Sequence, residues 1–346
     1  MKSIQRILVI GLSNVGDAVL MSPEIEQLHQ TFPDARVTLW LGERAEAVFA
    51  DDPRVQELVC LDDYEGFWGH LRLVQRLRQT RPDLVVDLRH TAWPLLWKPW
   101  RCLRYVWPFR SSTRHMRDQH LVTLHRQAGD LVHGMATRAA ADLPSLWIAP
   151  KDRAAIDTLL ARWGVVASKP LVVMCPGARS HIKRWYAERF AAVADRLIDE
   201  AGVELILTGE PDESSIAQEI VGVMRQRAHS AVGRTTLRQV AALMQRAALV
   251  ITNDSASLHV ACAVRAPVLA LFGPTDPCKY GPTGPADRVL QRRLFCVPCE
   301  QAQCRFHHEC MRFISTEEVY ETARQMLGRG QETWGAGRGE EKNQEV

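Results

Sequence analysis

The chain lacks the features that identify several large classes of protein. None of its apolar runs reaches the roughly 18 residues of a membrane-spanning helix. The net charge of +3 is too small to indicate a nucleic-acid-binding protein. No small-residue cleavage site follows the apolar run at residues 7–10, so we interpret this run as a first strand and not as a signal peptide. The nine cysteines, an odd number, are mostly scattered, which is typical of reduced thiols and predicts a cytoplasmic protein.

Strand and helix patterns alternate in two blocks, which predicts two parallel-sheet α/β domains facing each other. We expect domains at residues 1–160 and 161–327, and a disordered tail at residues 328–346, where apolar content is low. The predicted strands are residues 6–11, 36–41, 56–61, 84–88, 171–175, 203–208, 248–252 and 267–272. The predicted helices are residues 18–31, 66–80, 119–136, 151–163 and 186–200, with two more that begin at Thr236 and Ser315, each at the start of a capping-box spacing.

Residues 248–282 form a strand–helix–strand pattern whose polar residues gather at the carboxyl ends of the strands. Asn253, Asp254 and Ser255 follow the first strand, a helix begins at once, and His259 lies one turn into it. The second strand ends in a Gly-Pro-Thr-Asp-Pro loop. Open α/β sheets bind ligands at this edge, and the free N–H groups of a helix start favour phosphate. The segment therefore predicts a nucleotide or another phosphorylated ligand.

The first strand leads into GLSNVGDAVLMSP, residues 11–23. Gly16 lets the backbone pass close to a ligand, and Asp17 beside it is a candidate general base. The alternative is a carboxylate that only stabilises the helix dipole. GLSNVG does not match the G-x-G-x-x-G fingerprint, so a dinucleotide-dependent oxidoreductase is disfavoured.

Two loops of the second block carry further candidates. PGARSHIKRW, residues 176–185, offers hydrogen-bond donors at Ser180 and a point charge for phosphate at Lys183. TGEPDE, residues 208–213, offers the acids Glu210, Asp212 and Glu213, and an acid at this position of a nucleotide fold can accept from ribose hydroxyls. For both loops a solvated surface position is the alternative.

Taken together, these motifs resemble the lipopolysaccharide heptosyltransferases of glycosyltransferase family 9. The resemblance includes Pro23 and the late CVPC segment, and it spans residues 6–327. It implies a GT-B fold, two Rossmann-like domains with the active site between them. It also implies an inverting enzyme that moves heptose from ADP-heptose to the inner core of lipopolysaccharide, without a cofactor, at the cytoplasmic face of the inner membrane.

The resemblance also implies roles for individual residues. Asp17 corresponds to the catalytic aspartate, with Asn14 and Gly16 on the acceptor side, and Lys183 to the basic residue at the donor phosphates. The remaining donor-side residues are Ser180, Glu213, Asp254, Ser255 and His259. One position departs from the family pattern, because Ala256 stands where glycine is usual, and its methyl group limits how closely the backbone approaches a diphosphate.

Other functions remain as alternatives. A related transferase could use another nucleotide sugar or acceptor, since the sequence does not define the sugar pocket. A non-catalytic nucleotide- or zinc-binding scaffold is disfavoured by the presence of Asp17 together with Lys183, because a scaffold needs no base.

Two further segments have open interpretations. Residues 89–117 hold six Arg, one Lys and four Trp but no Asp or Glu, which fits contact with an anionic glycolipid and the membrane surface, or else Trp packing with solvated Arg. Cys296, Cys299, Cys304 and Cys310 form C-x₂-C-x₄-C-x₅-C, a spacing that suits a structural loop or, less well, a zinc site or a disulfide.

Overall fold

The computed structural model describes residues 4–91, 115–129 and 146–337. Its contacts divide the chain into two units, Met1–Ala149 and Pro150–Val346. Among the described residues, each unit contains one sheet whose strands are all parallel, with helices between successive strands. This arrangement confirms the α/β class that the alternating patterns predicted.

The first unit has a four-stranded sheet in the order β3-β2-β1-β4. Residues 7–10 of β1 are fully buried, as expected for a central parallel strand covered on both faces. The strands are β1 (Arg6–Ile10), β2 (Arg36–Leu41), β3 (Glu57–Cys60) and β4 (Leu84–Asp87). The helices are α1 (Val15–Leu20), α2 (Ser22–Thr31), α3 (Glu43–Phe49), α4 (Gly66–Thr80) and α5 (Met116–Ala128).

The single helix predicted at residues 18–31 is two helices, α1 and α2. Pro23 lies in the first turn of α2, where its missing N–H group is tolerated because no intrahelical partner is needed there. The Ser22 hydroxyl donates to the Val19 carbonyl oxygen at 2.6 Å across the break. The apolar period therefore continues through a junction at which the backbone hydrogen bonding changes.

The second unit has a six-stranded sheet in the order β10-β9-β8-β5-β6-β7. The strands are β5 (Leu171–Cys175), β6 (Glu204–Leu207), β7 (His229–Ser230), β8 (Leu249–Asn253), β9 (Val268–Phe272) and β10 (Arg288–Gln291). The helices are α6 (Pro150–Trp163), α7 (Ala187–Ala201), α8 (Ser214–Val223), α9 (Leu237–Gln245), α10 (Ala256–Ala263), α11 (Pro277–Tyr280), α12 (Glu309–Arg312) and α13 (Thr316–Gly337). The central position of β8 and β5 places the loops that follow them side by side.

The boundary predicted at residue 160 lies inside α6, and the structure moves it to residue 150. Helix α6 packs against α9 of the second unit, where the Arg238 Nε and Asp152 Oδ2 atoms are 3.4 Å apart in a buried ion pair. The Trp163 ring stacks on the His229 ring of β7 with centroids 5.2 Å apart. These contacts assign the whole helix to the second unit.

The tail predicted to be disordered from residue 328 is helical as far as Gly337, the end of α13. Glycine is the most frequent residue at 328–337, with four of the ten positions, so helix propensity does not explain why the helix extends this far. Residues 338–346 lie outside the described part of the chain. Within the described part, no helix combines the length and apolarity needed to cross a bilayer.

Candidate functional site

Asn253 at the end of β8 connects two neighbouring loops of the second unit. Its side chain is fully buried. The amide group donates to the Pro176 carbonyl oxygen at 2.7 Å and accepts from the Trp185 backbone N–H at 3.1 Å. The buried amide thus fixes both ends of the loop after β5 to the carboxyl end of β8. This is the residue that orients the polar tip next to it.

Lys183 and Asp254, both predicted donor-side residues, form an ion pair. The Lys183 Nζ donates to the Asp254 Oδ2 at 2.7 Å, and the Thr275 hydroxyl donates to the same oxygen at 2.5 Å. Asp254 is 4% exposed in its side chain, whereas Lys183 is 28% exposed, so the ammonium group is the accessible partner. Three loops, those after β5, β8 and β9, therefore meet at one carboxylate.

Sequence reasoning missed Thr275 and Gln291 as members of this cluster. The Gln291 amide donates to the Thr275 carbonyl oxygen at 2.7 Å and to the Gly273 carbonyl oxygen at 3.1 Å. It thereby holds the loop after β9 in place. Thr275 belongs to the Gly-Pro-Thr-Asp-Pro motif, but nothing in the sequence around Gln291 indicated this role, because the contact depends on β10 pairing with β9.

Ser255 and His259 lie at the start of α10. The Ser255 side-chain oxygen is buried and has no hydrogen-bond partner within the described residues. It precedes the first turn, whose N–H groups point out of the helix end. His259 is buried one turn on, 9% exposed. An orphaned hydroxyl at a helix N-terminus beside an accessible ammonium group is suited to an anion such as phosphate.

Glu213 ends a short 3₁₀ turn after β6 and lies against the loop after β5. Its Oε2 accepts from the Glu210 backbone N–H at 3.0 Å. A β-carbon on Gly177 or on Gly209 would overlap its carboxyl group, so these two glycines give the carboxyl group its space. Burial raises the pKa of Glu213, and the charges of Glu210 and Asp212 act in the same direction. Ser180, also in the loop after β5, accepts at its carbonyl oxygen from the Lys183 N–H at 3.0 Å.

Asp17 of the first unit lies in the first turn of α1, after the carboxyl end of β1. The Asn14 amide donates to the Asp17 Oδ2 at 3.1 Å, so these two predicted residues are in contact. Gly16 is the preceding residue in the same turn. Asp17 is half-buried, and it therefore combines a held carboxylate with access from outside the fold.

Sequence reasoning missed two buried polar residues of the first unit, Asp87 at the end of β4 and His120 in α5. Asp87, fully buried at the end of β4, accepts from the Arg89 N–H at 2.9 Å and from the Thr91 N–H and hydroxyl, each at 2.7 Å. Burial raises the pKa of Asp87. His120 of α5 is buried, and burial lowers its pKa to about 4, against the opposing charge of Asp17. His120 gave no signal in the sequence, because its burial depends on how α5 packs in the folded unit.

The four cysteines of the late loop carry free thiols and line one cavity of about 260 Å³ with His308. The Cys304 Sγ accepts from the Phe306 and His308 backbone N–H groups at 3.3 Å each. Across residues 4–91, 115–129 and 146–337, no group of three or more His, Cys, Asp or Glu is arranged to hold a metal ion. The loop instead packs on the donor side, where the Cys299 and Glu300 N–H groups donate to the Pro274 carbonyl oxygen at 2.9 and 3.0 Å.

The basic, Trp-rich segment at residues 89–117 falls mostly outside the described residues, which stop at 91 and resume at 115. Its two interpretations, contact with a glycolipid at a membrane surface and packing inside the first unit, stay predictions.

Comparison with known proteins places these features in a family. Residues 100–309 match the family described as glycosyltransferase family 9 (heptosyltransferase). Lipopolysaccharide heptosyltransferase 2 of Salmonella typhimurium is 25% identical over 306 residues, 83% of this chain and 88% of that protein.

Two solved structures share the fold. The glycosyl transferase family 9 protein of Veillonella parvula aligns with a TM-score of 0.80 and 24% identity, over 95% of this chain and 99% of that one. Escherichia coli ADP-heptose lps heptosyltransferase II aligns with a TM-score of 0.74 and 21% identity, over 94% and 100%. The predicted GT-B class, with two Rossmann-like domains, is thereby confirmed. The family match covers more than half of the chain, and the protein is therefore a glycosyltransferase that belongs to glycosyltransferase family 9.

Proposed function

We propose that the protein transfers heptose from ADP-heptose to the inner core of lipopolysaccharide, with inversion at the anomeric carbon. The observation that carries the proposal is the cluster of Lys183, Asp254 and Thr275 beside the unpartnered hydroxyl of Ser255. Lipopolysaccharide and lipooligosaccharide heptosyltransferases are among the relatives of this chain, which supports the choice of sugar and acceptor.

The donor half of the reaction belongs to the second unit. The ADP diphosphate would lie between the Lys183 ammonium group and the N–H groups that begin α10, because both favour negative charge. Glu213 would accept a hydrogen bond from the ribose. During transfer negative charge grows on the departing diphosphate, and donors already in place stabilise that charge without reorganising. Ala256 at the first position of α10 limits how closely the backbone approaches the phosphates.

The acceptor half of the reaction belongs to the loop after β1. Asp17, with its Oδ2 held by Asn14, would remove the proton from the acceptor hydroxyl as that oxygen attacks the anomeric carbon from the face opposite ADP. The proton moves to Asp17, the C–O bond to the acceptor forms, and the electron pair of the broken bond leaves with ADP. The scheme needs no cofactor.

The site of action would be the cytoplasmic face of the inner membrane, where the lipid-linked acceptor is presented. Residues 89–117 are the segment we expect to contact the anionic glycolipid, with Arg at phosphate groups and Trp at the interface.

Substitution of Asp17 by Asn tests the role of the base. Transfer from ADP-heptose to a defined inner-core acceptor, measured by mass spectrometry, should fall at least about 100-fold, since general-base catalysis contributes that much or more. Calorimetry should show unchanged ADP affinity, because Asp17 and the donor loops belong to different units. Loss of ADP affinity with transfer intact would contradict the assignment.

The same calorimetric titration tests the donor. Binding of ADP in preference to UDP, GDP and NAD is the expected result. Selective binding of UDP or GDP would redirect the proposal to another nucleotide sugar, and NAD binding would overturn it.

A further inference from the structure

Helix α5, which carries His120, packs against α1, the helix that carries Asp17, and the position of α5 is fixed. Helix α5 packs on β4, α1 and α2. The Gln127 side chain donates to the Asp87 carbonyl oxygen at 2.8 Å and accepts from the Asp87 backbone N–H at 2.6 Å. This two-way contact attaches α5 to the carboxyl end of β4, beside the end of β1. His120, seven residues earlier in α5, is close enough to Asp17 to feel its charge.

His120 is buried without a hydrogen bond on one side of its ring. Its side chain is 6% exposed, and its Nε2 atom has no partner within the described residues. Buried polar atoms in folded proteins are almost always paired, because an unmade hydrogen bond in a dry site is costly. The unpaired Nε2 atom of His120, on a helix that packs against the helix of Asp17, is a hydrogen-bonding position that a ligand can fill.

The charge state of His120 limits what it can do there. Burial lowers its pKa to about 4, and the positive charges of His90 and His115 act in the same direction, while Asp17 opposes them. The imidazole is therefore neutral at pH 7 and a weak base. Removal of the acceptor proton stays assigned to Asp17, as in the proposed function. A neutral ring can still donate or accept one hydrogen bond.

We infer that His120 binds the acceptor sugar, with its Nε2 hydrogen-bonded to a hydroxyl next to the one that Asp17 deprotonates. The inference rests on the proposed function. It makes His120 an acceptor-binding residue that fixes which hydroxyl faces the base, and it predicts an effect on acceptor binding that is separate from donor binding.

Replacement of His120 by Phe keeps a ring but removes the polar atom. The acceptor KM should rise about tenfold, the loss expected for one hydrogen bond to a sugar, while ADP affinity stays unchanged. The melting temperature should hold or rise, because the variant removes a buried polar atom that has no partner. His120→Gln, whose amide nitrogen reaches the position of Nε2, should recover most of the acceptor affinity.

His125 on the same helix offers a matched control. Its Nε2 lies 3.0 Å from the Gln27 Nε2, in a contact that the fold already uses. His125→Phe should therefore lower the melting temperature and leave the acceptor KM unchanged, the opposite pattern to His120→Phe.

The outcomes separate this inference from the proposed function. If the wild-type protein does not transfer heptose, the proposed function fails, and the inference that rests on it fails as well. If the wild type is active and His120→Phe loses stability with its acceptor KM unaltered, His120 has a structural role and the inference is overturned.

Discussion

Replacement of Gly177 by Ala should weaken nucleotide binding without unfolding the second unit. The three atoms nearest to an added β-carbon all belong to the carboxyl group of Glu213. That group is the far end of a flexible side chain, so it can rotate away while the backbone stays in place. The φ angle of Gly177 is outside the left-handed region, and alanine fits the backbone there without strain. The substitution therefore displaces one functional group and little else.

The size of the effect follows from the hydrogen bond that would be lost. A hydrogen bond to a charged group contributes about 1.5–3 kcal/mol, which corresponds to about 10- to 150-fold in the dissociation constant of ADP. Calorimetry on the Gly177→Ala and Glu213→Gln variants measures it. The double variant should bind no more weakly than the weaker of the two, because both changes act on the same contact.

Gly222 provides the control for this experiment. It lies in α8 of the same unit, and an added β-carbon there meets no atom within 4 Å. Gly222→Ala should leave ADP affinity unchanged and stabilise the protein by about 0.5–1 kcal/mol. If Gly177→Ala binds ADP as tightly as the wild type, Glu213 has no part in nucleotide binding, and the reasoning is refuted.

Three further predictions concern stability. Burial raises the pKa of Glu24 in the folded state well above 4.5. The protonated side chain therefore contributes to the free energy of unfolding below about pH 4.5, and this contribution is lost as pH rises through the folded-state pKa. Thermal unfolding of Glu24→Gln, which cannot ionise, should match the wild type near pH 4.5 and exceed it at pH 8; a constant difference would contradict this. Thr236→Ala removes the capping box of α9 and should lower the free energy of unfolding in urea by about 1 kcal/mol, whereas an unchanged midpoint would show that the cap is dispensable. Asn253→Ala leaves the buried Trp185 N–H and Pro176 carbonyl groups unpaired, so it should lower the free energy of unfolding by at least about 2 kcal/mol and also weaken ADP binding. A variant as stable as the wild type would argue against the amide as the link between the two loops.

The strands that the sequence predicted best are those buried on both faces. The run at residues 171–175 matches β5 in full, because a continuous apolar run is the mark of a central parallel strand. The two edge strands of the second sheet, β7 and β10, were missed. The first has only two residues, His229 and Ser230, and the second carries Arg288 and Gln291 at its ends. Neither has an apolar run long enough to separate it from a loop.

The sequence likewise predicted some residues of the candidate site and missed others. Asp254 and Lys183 were found because local motifs place polar groups after strands. Their pairing depends on the adjacency of β5 and β8, and the third member, Thr275, depends on β9 lying on the other side of β8. Thr275 and Asp254 are 21 positions apart in sequence, and Lys183 and Asp254 are 71 positions apart, so no local pattern encodes these contacts. His120 was missed for a different reason, since an unpartnered buried atom is defined only by its three-dimensional surroundings.

The ion pair between Lys183 and Asp254 has a consequence for turnover in the proposed reaction. Since Asp254 already holds the ammonium group at 2.7 Å, a diphosphate that binds there replaces one anionic partner by another. The gain in binding is then the difference between two contacts, and it depends less on salt than capture by an isolated charge would. After transfer the lysine can return to its carboxylate as ADP departs. We therefore expect the ion pair to lower the affinity for the nucleotide and to speed the dissociation of ADP.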